Sequence, residues 1–378
     1  MICGYGKKII KYNKRAHYFS IFAVWMLLNY TKSQVAANLT TQHMKYKGVT
    51  YDIGIEYAPG ILTRTGLTSD LLVYDISEIK NNLNCNSIRI YGNDDELLIL
   101  ASELALQNGL NVWLSPRYVN ADTKQTIEKL NEIAARTEVL RVKYANNEII
   151  LITGGEASID TKGFLKGETI FDRIQNLSKP SFFIKKALGF KPEYQKDFIS
   201  YLKQSADTVR SKFKGKITYA SALWEDVDWS IFDIVSINLY KASFNKLFFE
   251  RKVKQMSSIG KPLAITEFGC CCYVGADEKG PTGFSVLETT NNTPVFKENC
   301  ERSEKTQATY ITDLLLTYQQ ANVEATFIFD FYSQKYTYDD DPNLDYDKAS
   351  FGITKSVGQN KWEPKLSFNA IAKFYNEK

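Results

Sequence analysis

Four carboxylates, Asp52, Glu156, Glu267 and Asp330, each close a short run of β-branched or aromatic residues: "VTYD", "ILITGGE", "LAITE" and "ATFIFD". An acid ending an apolar strand is either a strand-end ion-pair partner or a group presented to a pocket. Two further features weigh between these readings. Histidine occurs only twice, at His17 and His43, so neither a Ser-His-Asp nor a Cys-His arrangement has a base in reach, and a His-rich zinc or iron site is excluded. Tyrosine (23) and tryptophan (5) are plentiful beside the acids, which suits acid and base work on sugars. Retaining glycoside hydrolysis needs two carboxyl groups about 5 to 5.5 Å apart, one attacking the anomeric carbon while the other protonates the leaving oxygen and then activates water. That chemistry calls for no metal and no cofactor. A divalent-metal site built from Asp52, Glu156, Glu267 and Asp330 is a further alternative, lacking histidine support.

The elements that must position these acids follow a regular alternation. Strand patterns are read at 46–54, 87–92, 111–116, 148–155, 216–223, 232–240, 262–269 and 325–332. Helical patterns lie between or after them, such as "ELLILASELALQNGL" (96–110), with an apolar stripe at helical spacing and a glycine stop. Eight strands with eight helices predict an α/β fold, a single-domain (β/α)8 TIM barrel over residues 46–378. A doubly wound sheet is disfavoured because "YDIGIEYAPG" lacks the glycine spacing of a dinucleotide loop. Two segments exceed plain connections, 157–191 after the fourth strand and 270–302 after the seventh. In a barrel both open on the face where function sits.

Residues 1–37 stand apart. Lys7, Lys8, Lys11, Lys14, Arg15 and Lys32 have no acid among them, and the apolar run Phe19 to Leu28 precedes "SQVAA". This order predicts a secretory signal cleaved after Ala37, a short linker at 38–45, and a secreted or periplasmic mature chain. Ten apolar residues fall short of the roughly 20 that span a bilayer, so an uncleaved anchor is the alternative and no stable span is expected after removal. Taking those six cations from the 47 basic residues leaves 41 against 43 acidic ones, turning a formal +4 into about −2. Such a chain has no basic stripe for nucleic acid, and the expected partner is a carbohydrate.

The motifs carry a resemblance. "ITEFG" resembles the seventh-strand motif of clan A glycoside hydrolases, (β/α)8 barrels with an acid/base glutamate ending strand four and a nucleophile ending strand seven. The resemblance implies Glu267 as nucleophile and Glu156 as acid/base. It also implies Arg89 of "SIRIYG" and Tyr240 of "SINLY" as supports of the nucleophile. The chain departs at "TGGEAS", where Gly155 stands in place of the clan's asparagine. Over Tyr46 to Tyr375 the chain is also similar to bacterial proteins labelled abortive infection proteins, through "ITGGEASID" and "GKPLAITEFGCC" among others. A non-catalytic barrel that binds a glycan or a protein partner is therefore the second functional reading.

Asp52, Asn93, Arg117, Asn238 and Asp330, all polar and at strand ends, are candidate hydroxyl binders. Trp224 and Trp229 are candidates for stacking on sugar faces, while Trp113 reads as core and Trp362 as an anchor of the last helix. Glu225 is a spare carboxylate that could replace Glu156. Cys270, Cys271 and Cys272 are too closely spaced for a zinc motif. In an oxidising compartment one of them is expected to pair with Cys300 and brace the loop after the seventh strand.

Overall fold

The computed structural model describes residues 44–290 and 293–377. The segment 1–37, expected to be a secretory signal, and most of the expected linker lie outside the described residues. Eight parallel strands form the centre: Tyr46–Asp52 (β1), Ser87–Gly92 (β2), Asn111–Pro116 (β3), Ile149–Gly155 (β4), Lys216–Ala220 (β5), Val235–Asn238 (β6), Leu263–Phe268 (β7) and Ala325–Ile328 (β8). Hydrogen-bonded neighbours run β5-β4-β3-β2-β1-β8-β7-β6. The remaining seam, β5 to β6, is closed by single contacts: Ser221 pairs with Ile237, and the Ser221 and Asn238 amides donate to Ser236 O (3.1 Å) and Ser221 O (2.8 Å). The chain is a (β/α)8 barrel.

Strands buried on both faces read as near-continuous apolar runs, as in "EIILI" and "PLAI". Inward side chains fill the barrel with Tyr46, Trp113, Ile150, Ile152, Ala220, Ile234, Ala264, Ala325 and Phe327. Gly48 is required here, because a Cβ at that position would meet the Phe327 ring at 2.6 Å.

Around the sheet run Ser69–Asn81 (α1), Asp95–Gln107 (α2), Thr123–Lys143 (α3), Ala157–Asp160 (α4), Ile170–Leu177 (α5), Pro180–Ala187 (α6), Gln195–Lys212 (α7), Phe249–Ser257 (α8), Glu304–Gln320 (α9) and Leu366–Asn376 (α10). Their starts are written in the sequence. Thr68 and Asp94 cap α1 and α2, and Asp122 with Gln125 forms a capping box on α3, satisfying amides that a helix leaves unpaired. Expected and observed strands agree at their starts to within a few residues. The connection between β5 and β6 is different: it carries only a 3-10 turn, Trp229–Ile231, in place of a helix.

The segment after β4 carries α4, α5 and α6. The one after β7 carries 3-10 turns and the hairpin Leu287–Thr290 with Thr293–Phe296. Among the described residues no disulfide braces this second segment; Cys270, Cys271, Cys272 and Cys300 are buried free thiols. Backbone pairing explains the failure of that expectation. Tyr273 opposes Arg302 in an antiparallel bridge, with Ser303 N–H donating to Cys272 O (2.9 Å) and Val274 N–H to Glu301 O (2.9 Å). Continuing that register carries Cys300 toward Gly275 and away from the three cysteines, outside bonding geometry. Cys271 Sγ instead donates to Ala349 O (3.3 Å). The brace is ionic: Arg302 reaches Asp345 and Asp347 (both 3.1 Å) and Glu304 (2.8 Å), and Lys365 closes on Asp347 at 2.8 Å with both side chains wholly buried.

Candidate active site

Glu267 is the penultimate residue of β7, and strand alternation turns it into the barrel mouth. Arg89 of β2 places Nη1 3.2 Å from Glu267 Oε2 and donates the same group to Thr266 O at 2.8 Å. From just past β6, the Tyr240 hydroxyl donates to Glu267 Oε1 at 3.1 Å. Burial first, and the charge of Glu267 second, push the Tyr240 phenol far above its usual range. It stays a donor. A cation and a hydroxyl on separate oxygens hold the carboxylate in one orientation.

Glu156 is presented differently. The β4 ladder slips between Ile152 and Gly155, Gly154 has φ +143°, and Glu156 itself sits at φ +47°, ψ +37°. A left-handed non-glycine residue costs backbone energy, and here it begins the short helix α4. Its amide donates to Ala220 O at 3.0 Å. That close approach of β4 to β5 explains Gly155, where a Cβ would lie 3.3 Å from Ala220 Cβ and 3.4 Å from Ala220 O. An asparagine would have to push β5 aside.

Asn238 joins the two glutamates. Its Nδ2 donates to Glu156 Oε1 at 3.0 Å, while its Oδ1 accepts from the hydroxyl of Thr266, the residue before Glu267, at 2.9 Å. Arg117 lies 3.7 Å from Glu156 Oε2 but is spent on Asp160, which it grips through Nε (2.6 Å) and Nη2 (3.1 Å). Burial and then the charge of Glu267 raise Glu156 to about 8, against the opposing pull of Arg117 and the Asn238 bond. The two acids thus differ in kind: one is clamped by donors, and the other is held protonated near neutrality, the division that acid/base chemistry at a sugar requires.

The structure gathers Asp52, Asp330, Arg89, Arg117, Asn238 and Tyr240 around these glutamates. Asn93 lies at the rim beyond β2, its amide donating to Gly54 O at 3.1 Å. Trp224 is near by, its indole donating to Ser158 Oγ at 3.0 Å. Trp229 is not: Lys261, before β7 begins, donates to its carbonyl at 2.6 Å, which places it at the opposite end of the barrel. Glu225 is structural, accepting from the Ser158 and Ala222 amides (3.0 and 2.9 Å) and the Tyr219 hydroxyl (2.9 Å). The site also holds Asp160, Tyr57 and Tyr91, which no motif marks: Arg117 grips Asp160 and lies over the Tyr57 ring. Asp160 stands one helical turn beyond Glu156 in "GEASID", a spacing that could have been read as a supporting acid. Tyr91 stands two residues beyond Arg89 on the same strand, β2. Among the described residues no three His, Cys, Asp or Glu side chains are placed to hold a metal ion, and no helix is long and apolar enough to cross a membrane.

Known folds match this arrangement. A GH113 β-1,4-mannanase superposes with a TM-score of 0.54 at 15% identity, covering 88% of this chain and 99% of that one. The GH113 β-mannanase AaManA from Alicyclobacillus acidocaldarius gives 0.54 at 11% identity over 89% and 98%. A fungal β-1,4-galactanase gives 0.52 at 15% identity over 87% and 99%. At these identities the likeness is one of fold, shared with glycoside hydrolases. No family model and no curated protein matches the chain.

Proposed function

We propose that the chain is a retaining glycoside hydrolase or transglycosylase. Glu267 attacks the anomeric carbon, aligned by Arg89 and Tyr240. Glu156, protonated at rest, delivers its proton to the leaving oxygen. It then accepts one from the incoming water or sugar hydroxyl, so the glycosyl bond to Glu267 breaks with a second inversion. The supporting observation is the unlike environment of two glutamates at one barrel mouth, Glu156 bonded by Asn238 and Glu267 by Arg89 and Tyr240. The predicted export and carbohydrate partner fit this reading. A panel of aryl glycosides and polysaccharides, run with Glu267→Gln and Glu156→Gln in parallel, tests it. Turnover by the native chain should fall at least about a thousandfold in both variants with folding unchanged. Wild-type rates from Glu267→Gln would defeat it.

The second reading, a non-catalytic glycan-binding barrel, is favoured by one observation, the glycine at 155. It predicts binding without turnover.

A further inference from the structure

Among the described residues, five of the eight buried acids have a cation. Asp75 has Arg64 at 2.7 Å, Asp160 has Arg117, Glu267 has Arg89, and Asp345 and Asp347 share Arg302 with Lys365 behind them. Glu225 lacks one but receives three donors. Asp52 and Asp330 are the exceptions at the pocket. Both are about 95% buried, they end adjacent strands, and among the described residues neither makes an ion pair. Asp52 accepts the Gly54 amide at 2.7 Å on Oδ1 and has the Thr63 hydroxyl beside it. Asp330 has a single hydroxyl, Ser333, shared between its two oxygens at 2.9 and 3.1 Å.

The cations around them are committed elsewhere. Arg64 gives its Nη2 to Asp75 and its Nη1 to the Asp52 carbonyl, and Lys365 is closed on Asp347. Lys335, whose charge reaches Asp52, is exposed and paired with neither acid. A second observation points the same way. Tyr91 is 3% exposed, pairs across the sheet with Asp52, and has no hydrogen-bond partner for its hydroxyl among the described residues. That hydroxyl lies in the combined field of Asp52, Asp330 and Glu267. Two buried carboxyls without a cation and a phenol without a partner, gathered beside the nucleophile, offer acceptors to a group rich in donors and positive charge.

We propose that Asp52, Asp330 and Tyr91 form an ammonium subsite beside Glu267, so that the sugar held there carries a primary amine. This deepens the glycosidase reading and rests on it for the pocket being a sugar site. An ammonium has three donors, one for each carboxyl and one for the phenol oxygen. An N-acetyl group removes the charge and adds bulk, and a hydroxyl supplies one donor only.

The test separates binding from turnover. Full-length Glu267→Gln is titrated calorimetrically at pH 6.5 with glucosamine, mannosamine, galactosamine and β-1,4-linked glucosamine oligomers, each against its N-acetylated and its neutral hydroxyl counterpart. At least one amine sugar should bind about 10- to 100-fold more tightly than both counterparts, the range expected of charge-assisted contacts. Adding Asp330→Asn or Asp52→Asn should abolish that preference, with thermal melts confirming that the fold persists. Because the acetylation comparison uses one protein, it stands even where an aspartate variant fails to fold. Equal binding of amine and neutral sugars, no binding of any amine sugar, or a preference surviving both aspartate changes overturns the proposal. Turnover of neutral glycosides without amine preference would remove this subsite and leave the hydrolase reading intact. Amine-selective binding with no turnover by the native chain would do the reverse.

Discussion

Replacing Glu267 by glutamine should change the titration of Glu156. The carboxyl of Glu156 is raised from 4.5 to about 8 by burial and, second, by the charge of Glu267. At about 1.4 kcal/mol per pH unit this corresponds to ~5 kcal/mol disfavouring the ionised form. At the roughly 5.5 Å separation retaining chemistry uses, two like charges at an effective dielectric near 20 repel by about 3 kcal/mol. Glu267→Gln removes that repulsion and keeps the burial, so Glu156 should titrate roughly two pH units lower, near 6. Difference infrared or ¹³C NMR titration of the Glu267→Gln chain, with Glu156→Gln added to identify the signal, reads the midpoint. A midpoint unmoved at about 8 would refute the coupling, and a fall to 4.5 would refute the burial. The sign carries to the native chain: a group raised in the folded state contributes stability that is present below 4.5 and lost as pH climbs to about 8. Glu156→Gln should therefore be more stable than wild type at pH 8.5, with the gap closing at pH 4.5 in thermal melts.

Tyr240→Phe removes one donor to Glu267 and should lower kcat by about 10- to 100-fold while leaving the melting temperature nearly unchanged, in steady-state kinetics on whichever glycoside is turned over. Lys365→Met leaves buried Asp347 with Arg302 as its remaining cation and should cost about 1 to 3 kcal/mol in urea unfolding; a loss under 1 kcal/mol contradicts the brace assigned to it. Gly155→Asn should destabilise by about 1 to 3 kcal/mol, since β4 and β5 leave no room there, and a neutral effect in the same assay would count against the packing reason given for that glycine.

Much of this architecture was legible because its determinants are local. Strand periodicity located all eight strands, and the motifs around Arg89, Tyr240 and Glu267 keep fixed offsets from strand ends, so position in sequence maps onto position at the barrel mouth. Longer-range effects were hidden. The backbone turn at Glu156 and the fit of Gly155 against Ala220 depend on how closely β4 meets β5. Trp229 looked equivalent to Trp224 only because the β5 to β6 connection, which returns the chain to the opposite end, was not weighed. The cysteine pairing failed on register: Tyr273 against Arg302 is a tertiary fact, and a cluster of thiols says nothing of what stands across from it. Tyr91 and Asp160 acquire their roles only from neighbours distant in sequence.

The central claim is a covalent glycosyl bond to Glu267. Once a glycoside is turned over, its 2-deoxy-2-fluoro glycosyl fluoride should inactivate the chain by slowing release of that intermediate. Peptide mass spectrometry should then locate one sugar on the fragment containing Glu267, with none formed in Glu267→Gln. A label on another carboxylate, or an initial product of inverted anomeric configuration, would contradict the account.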